Sequence, residues 1–189
     1  MRPNNPTTST HVIQKMANSV FVYGSLMAPP VVQELVGRLP PSIPHPVRLW
    51  GHSRHPVKNQ AFPAVIPAAT ANSNQQQGSF VDGMIWCELS DWEMKVLDFF
   101  EDVEYQRTKV QVEPLSQQQQ SSSDDDDATT KKTLLEVDAY IWANPQSELE
   151  LDKDWNFEQF SSLRLEDYLQ NTVRPYRAEF DRLEKEEQK

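Results

Sequence analysis

The chain has 189 residues, enough for one domain with a sizeable core, and a formal charge of −10 to which the run Asp124–Asp127 contributes four. That balance argues against nucleic acid or an anionic membrane as a partner, and no apolar run approaches membrane-spanning length. The single cysteine, Cys87, excludes an internal disulfide and lies in an apolar run, so it reads as a buried structural thiol in a cytoplasmic setting.

Residues 1–18 lack the apolar stretch of a signal peptide and carry Arg2 and Lys15, with several Ser and Thr and no acid. A disordered N-terminal arm is expected there, with a transit peptide as the weaker alternative. Val20-Phe21-Val22-Tyr23-Gly24-Ser25-Leu26 then reads as a buried strand running into a tight turn. Pro29-Pro30 opens a short amphipathic helix over residues 29–39, because proline suits a first turn whose N–H groups are unpaired anyway. Such a strand–turn–helix exposes several backbone N–H groups at the positive end of a helix, a setting that favours a carboxylate or phosphate. One glycine is a weak signal, and an ordinary connection reads equally well from the turn alone.

The prolines at 40, 41, 44 and 46 end that helix and carry an extended segment. Residues 47–57 read as a broken strand with the basic group His52, Arg54, His55 and Lys58, followed by the short apolar strand 62–67. Residues 68–77 form a polar loop, and 78–89 alternate as a strand. Ser90-Asp91-Trp92-Glu93 has the capping-box pattern, in which Ser90 and Glu93 satisfy each other's backbone N–H groups. The helix it opens should stop near 100–102, where the pattern becomes β-branched and alternating through 112. Residues 116–133, with runs of Gln, Ser and Asp, cannot build a core and are expected to be a disordered hairpin insertion. Alternation resumes with Leu135, Val137, Ala139 and Ile141, and Asp154-Trp155-Asn156-Phe157 begins a helical tail. One domain over 19–180 and a charged tail over 181–189, read as a solvated helix end, complete the expected organisation.

Asp98, Glu101, Asp102 and Glu104 crowd one helix end among Phe99, Phe100 and Val103. A solvated acidic helix end is the ordinary reading. Yet interleaved apolar residues should turn some acids inward, and the negative end of the helix dipole together with like charges pushes a carboxyl toward its protonated form. A carboxyl poised between states suits general acid/base chemistry, whereas no clear metal-ligand motif accompanies it.

Taken in order, VFVYGSL at 20–26, Gly51-His52-Ser53-Arg54 with Phe62-Pro63-Ala64-Val65, LDFFEDVEY at 97–105 with Arg107, and Ala139-Tyr140-Ile141-Trp142 resemble the gamma-glutamylcyclotransferase-like superfamily. They look most similar to its plant avirulence-induced branch. The resemblance implies an α+β fold, a small mixed β-barrel with helices packed around it. It implies that the turn Tyr23, Gly24, Ser25 and Leu26 holds the α-carboxylate of a gamma-glutamyl group and that Glu101 is the acid/base. Tyr105, near Glu101, is a candidate to orient substrate through its hydroxyl, with a core aromatic at the start of a strand as an equally good reading. The reaction implied is intramolecular acyl transfer releasing 5-oxoproline from a small gamma-glutamyl molecule, without metal or organic cofactor, in a protein expected to be a monomer. His55-Pro56 and Asn59-Gln60-Ala61 depart from the usual pattern in the presumed pocket wall. A binding or regulatory protein of the same fold without turnover is the rival reading, and an interaction scaffold a third.

Overall fold

The structure, a computed structural model, describes residues 11–68, 78–115 and 132–187. The expected polar loop and nearly all of the expected insertion lie outside these residues. Seven strands and five α-helices are described: β1 (His11–Val22), α1 (Pro29–Val36), β2 (Ser42–Trp50), β3 (His52–Pro56), β4 (Pro63–Pro67), β5 (Phe80–Trp86), α2 (Asp91–Glu101), β6 (Tyr105–Pro114), β7 (Lys132–Trp142), α3 (Phe157–Leu163), α4 (Leu165–Tyr168) and α5 (Arg174–Glu187).

Five strands close a barrel in the order β1-β5-β2-β6-β7, and β3-β4 form a separate hairpin. β1 runs parallel to β7 while the other barrel pairs are antiparallel, so the barrel is mixed, as expected. The alternation read from the sequence has a direct physical cause. Val110 and Val112 on β6 and Leu135, Val137 and Ala139 on β7 all point inward, with Phe21, Leu49, Val81 and Ile85. Val20 and Val22, on the opposite face of β1, pack outward beneath α1, α2 and the C-terminal helices. The β2–β3 break falls at Gly51, whose φ of 71° is the left-handed conformation that glycine adopts without a Cβ penalty.

Two boundaries differ from the sequence reading. Residues 11–18, assigned to a disordered arm, form the first part of β1 and pair with β7 from His11↔Lys132 to Lys15↔Glu136 before the register shifts. Val12 and Ile13 are about half exposed there, so no apolar alternation marked the segment; the backbone of β7 recruits it. Lys132 and Thr133, assigned to the insertion, are already strand. At the other end, the charged residues from 181 continue α5 to Glu187 as a helix end, with Arg182 paired to Glu179 and Glu186 and Lys95 paired to Glu184 and Glu187.

α2 follows its sequence signals closely. Ser90 Oγ accepts from Glu93 N at 3.2 Å, and Glu93 Oε2 accepts from Ser90 N at 2.7 Å. Arg38 adds a two-pronged ion pair onto the buried Glu93 carboxylate. The helix ends at Glu101, and Asp102 turns the chain with a φ of 51° into a 3-10 turn over Asp102–Glu104. Val103 is 80% exposed on that turn.

Candidate active site

Strand β1 ends buried, and the chain passes directly into a 3-10 turn over Ser25–Met27. The first N–H groups with partners inside the turn are those of Met27, to Gly24 O at 2.9 Å, and Ala28, to Ser25 O at 3.0 Å. The N–H groups of Ser25 and Leu26 therefore precede the intrahelical donors and are left to meet an acceptor from outside. Gly24 is required by close approach: a Cβ there would lie 2.7 and 2.8 Å from Cγ and Cδ of Pro63 on β4. Trp86 on β5 pins the turn by donating its indole N–H to Leu26 O at 2.8 Å.

Opposite the turn, the end of α2 delivers Glu101 into a pocket of about 280 Å³. Tyr23, Gly24, Ser25, Leu26, Glu101 and Tyr105, the six residues singled out from the sequence, all line this pocket. Burial raises the Glu101 carboxyl from 4.5 to about 8, and the neighbouring Glu104 charge adds to the effect. Among the described residues no hydrogen bond or ion pair offsets it. The pocket mouth leaves Glu101 only partly accessible, so the group is reachable by a small molecule while being poorly hydrated.

Four tyrosines surround this carboxyl. Tyr23 donates its hydroxyl to Tyr140 O, and Tyr140 donates to Asp98 Oδ1 at 2.9 Å, which also meets Arg107 at 3.3 Å. Tyr105 donates to Pro63 O at 2.9 Å, and Tyr168 lies 3.3 Å from Ser25 Oγ. Burial raises all four phenols and the Glu101 charge adds to it, so they remain neutral. Tyr105, singled out for substrate contact, has its proton committed to Pro63 and can offer substrate its ring and an oxygen lone pair.

The sequence reading missed the wall made by the C-terminal segment. Tyr168, Asn171, Thr172, Pro175 and Tyr176 line the pocket from around a π-helical stretch, Leu169–Val173, which joins α4 to α5. Tyr168 carried only an apolar packing signal, and a π-turn that redirects side chains has no signature in composition. Gln60 and Phe62, from the β3–β4 connection, complete the opposite side. The basic group lies elsewhere: Arg54 donates to Tyr23 O at 2.9 Å from outside the pocket, Lys58 donates to Ser147 O at 2.6 Å, and the rings of His52 and His55 contact backbone carbonyls of Trp50 and Lys153. Among the described residues no cluster of His, Cys, Asp and Glu could hold a metal ion, and no helix is long and apolar enough to cross a membrane.

The mixed barrel thus sets the backbone turn at Gly24–Leu26 and a poorly hydrated carboxyl, Glu101, on one aromatic-lined cavity. The profile of the family described as "Gamma-glutamyl cyclotransferase, AIG2-like" matches residues 20–157, and the chain belongs to that family. AIG2-like protein D of Arabidopsis thaliana is 36% identical over 155 residues, covering 82% of this chain and 86% of the relative. AIG2-like protein C of the same plant is 32% identical over 158 residues, covering 84% and 77%. The solution structure of an Arabidopsis thaliana protein, 21% identical, shares the fold with a TM-score of 0.53 over 80% of this chain and 77% of its own.

Proposed function

We propose that this protein is a gamma-glutamylcyclotransferase that releases 5-oxoproline from a small gamma-glutamyl compound. The observation that carries the reading is the unpaired Glu101 carboxyl in the same pocket as the Gly24–Leu26 turn. The substrate α-carboxylate is held by the N–H groups of the turn, which places the α-nitrogen toward Glu101. In the empty pocket Glu101 is protonated over much of the neutral range; an incoming α-ammonium favours its charged form, because opposite charges stabilise each other in a poorly hydrated site.

Glu101 takes a proton from the α-ammonium group, and the freed amine attacks the gamma-carbonyl carbon. The lactam C–N bond forms and the original gamma-amide C–N bond breaks. Over the sequence the α-nitrogen sheds two protons, and Glu101 passes each in turn to the departing nitrogen, which leaves as an ammonium ion. Ring closure gains from proximity, so the protein's task is orientation and proton relay. Tyr105, Tyr140 and Tyr168 wall the site with neutral phenols, keeping the Glu101 carboxyl the titrating group. No step calls for a metal or an organic cofactor.

The test is to incubate purified protein with gamma-glutamyl amino acids, gamma-glutamyl amines and glutathione and to measure 5-oxoproline. Production that depends on Glu101 supports the reading. Binding of the whole panel without product, by a folded protein, assigns the pocket to ligand binding alone.

A further inference from the structure

The part of the pocket away from the turn has a chemical character of its own. Among the described residues that line the pocket, the carboxyl groups are those of Glu101 and Glu104, and no Lys, Arg or His joins them. Nearby cations are already engaged: Arg54 by Tyr23 O and Asp154, and Arg107 by Asp98. Glu104 lies on the 3-10 turn that follows Glu101, and no hydrogen bond or ion pair to its carboxylate occurs among the described residues. Its surroundings are acidic, with Asp102 and Glu148 close enough to act on it.

Aromatic rings line the same pocket, and Glu104 lies near enough to Tyr168 and Tyr176 for its charge to act on both phenols. Tyr176 packs edge-on against Phe100 with centroids 5.6 Å apart, Phe100 meets Tyr168 at 6.5 Å, and Tyr168 meets Phe62 at 6.4 Å. Ring faces and an unpaired carboxylate are what an alkylammonium group binds, by cation–π attraction and a charge-assisted hydrogen bond. A carboxylate placed there would find no cation and would be repelled by Glu104.

Resting on the proposed reaction, we infer that Glu104 and the Phe100–Tyr168–Tyr176 wall form the subsite for the departing amine and select one carrying a second positive charge over one carrying a carboxylate. Tyr168 and Tyr176 lie beyond residue 157, where the family match ends, so this half of the site comes from the chain's own C-terminal segment.

The experiment uses full-length Glu101→Gln protein, expected to bind without turning over, and calorimetry with three ligands sharing the gamma-glutamyl head. These are the conjugates of 1,4-diaminobutane (cationic), n-butylamine (neutral) and glycine (anionic). The expected order of affinity is cationic, neutral, anionic, with the first at least about tenfold tighter than the last, the scale of one charge-assisted contact. Adding Glu104→Gln should bring the cationic conjugate to the level of the neutral one. Equal affinities, or tightest binding by the glycine conjugate, overturn the subsite while leaving the reaction standing, and this ranking needs no change at Glu104. If none of the three binds to folded protein, the proposed reaction falls and the subsite with it.

Discussion

Replacing Glu101 by glutamine should separate two properties that natural selection has set against each other at this position. Burial moves the Glu101 carboxyl from 4.5 to about 8, and at about 1.4 kcal/mol per pH unit such a displacement corresponds to roughly 5 kcal/mol. Solvent entering the open pocket mouth reduces the effect to about 2–4 kcal/mol in practice. The sign follows from proton linkage. The folded state holds the proton more tightly than the unfolded chain, so the favourable contribution is complete below pH 4.5 and is lost as pH rises through about 8. Glutamine does not titrate. Urea unfolding of the two proteins should therefore give similar stability near pH 4.5, with the variant pulling ahead up to about pH 9. Over the same range turnover should fall by roughly 10²–10⁴-fold, the scale of one positioned proton-transfer group. Asp102, exposed at the helix end, is the proper comparison; Asp98 binds Tyr140 and Glu104 lines the pocket, so neither is a neutral control. Parallel stability curves for wild type and Glu101→Gln would refute the buried-carboxyl argument, and retained turnover would remove Glu101 from the mechanism.

Gly24→Ala places a methyl 2.7 Å from Pro63 Cγ, and Pro63 O is fixed by Tyr105, so ligand affinity should drop and stability fall by about 1–3 kcal/mol; normal binding by isothermal calorimetry would show that the turn tolerates a side chain. Tyr168→Phe removes the hydroxyl facing Ser25 without opening a cavity; KM should rise while the melting temperature stays within a few degrees of wild type, and a large loss of stability would make Tyr168 a packing residue alone. Burial alone would raise the Glu93 carboxyl, but the Arg38 fork and the Ser90 hydrogen bonds outweigh it and hold it below its ordinary value. Its contribution is thus present above the ordinary glutamate value and lost as pH falls below it. Arg38→Met should lower stability at neutral pH, and the deficit should shrink on acidification to about pH 3; a pH-independent deficit would mean the ion pair is not responsible.

Local rules were enough for much of the architecture. A capping box specifies where α2 begins, because the two hydrogen bonds it predicts join residues three apart. Alternation specifies the inward faces of β6 and β7, because a strand's side chains alternate whatever it pairs with. The Tyr23–Leu26 turn and the acidic helix end at 98–104 were legible as candidates for the same reason: a glycine turn before a proline-opened helix, and acids at a helix end, are local patterns that carry their own electrostatics; the choice of Glu101 among those acids came from the family resemblance. Nothing local says that these two patterns face each other across one cavity. That follows from closing β1 against β5 and β7, which brings residue 24 and residue 101 to one pocket. Closure also decided that residues 11–18 are strand, since the unpaired backbone of β7 supplied hydrogen bonds that weakly apolar side chains did not advertise. The C-terminal wall was beyond reach for a related reason. Tyr168 carries only a packing signal in the sequence and Tyr176 was not singled out; the docking of α4, the π segment and α5 over the barrel brings both to the pocket that holds Glu101. Sequence periodicity reports which face of an element is apolar, while the partner that each face meets depends on the three-dimensional path of the whole chain.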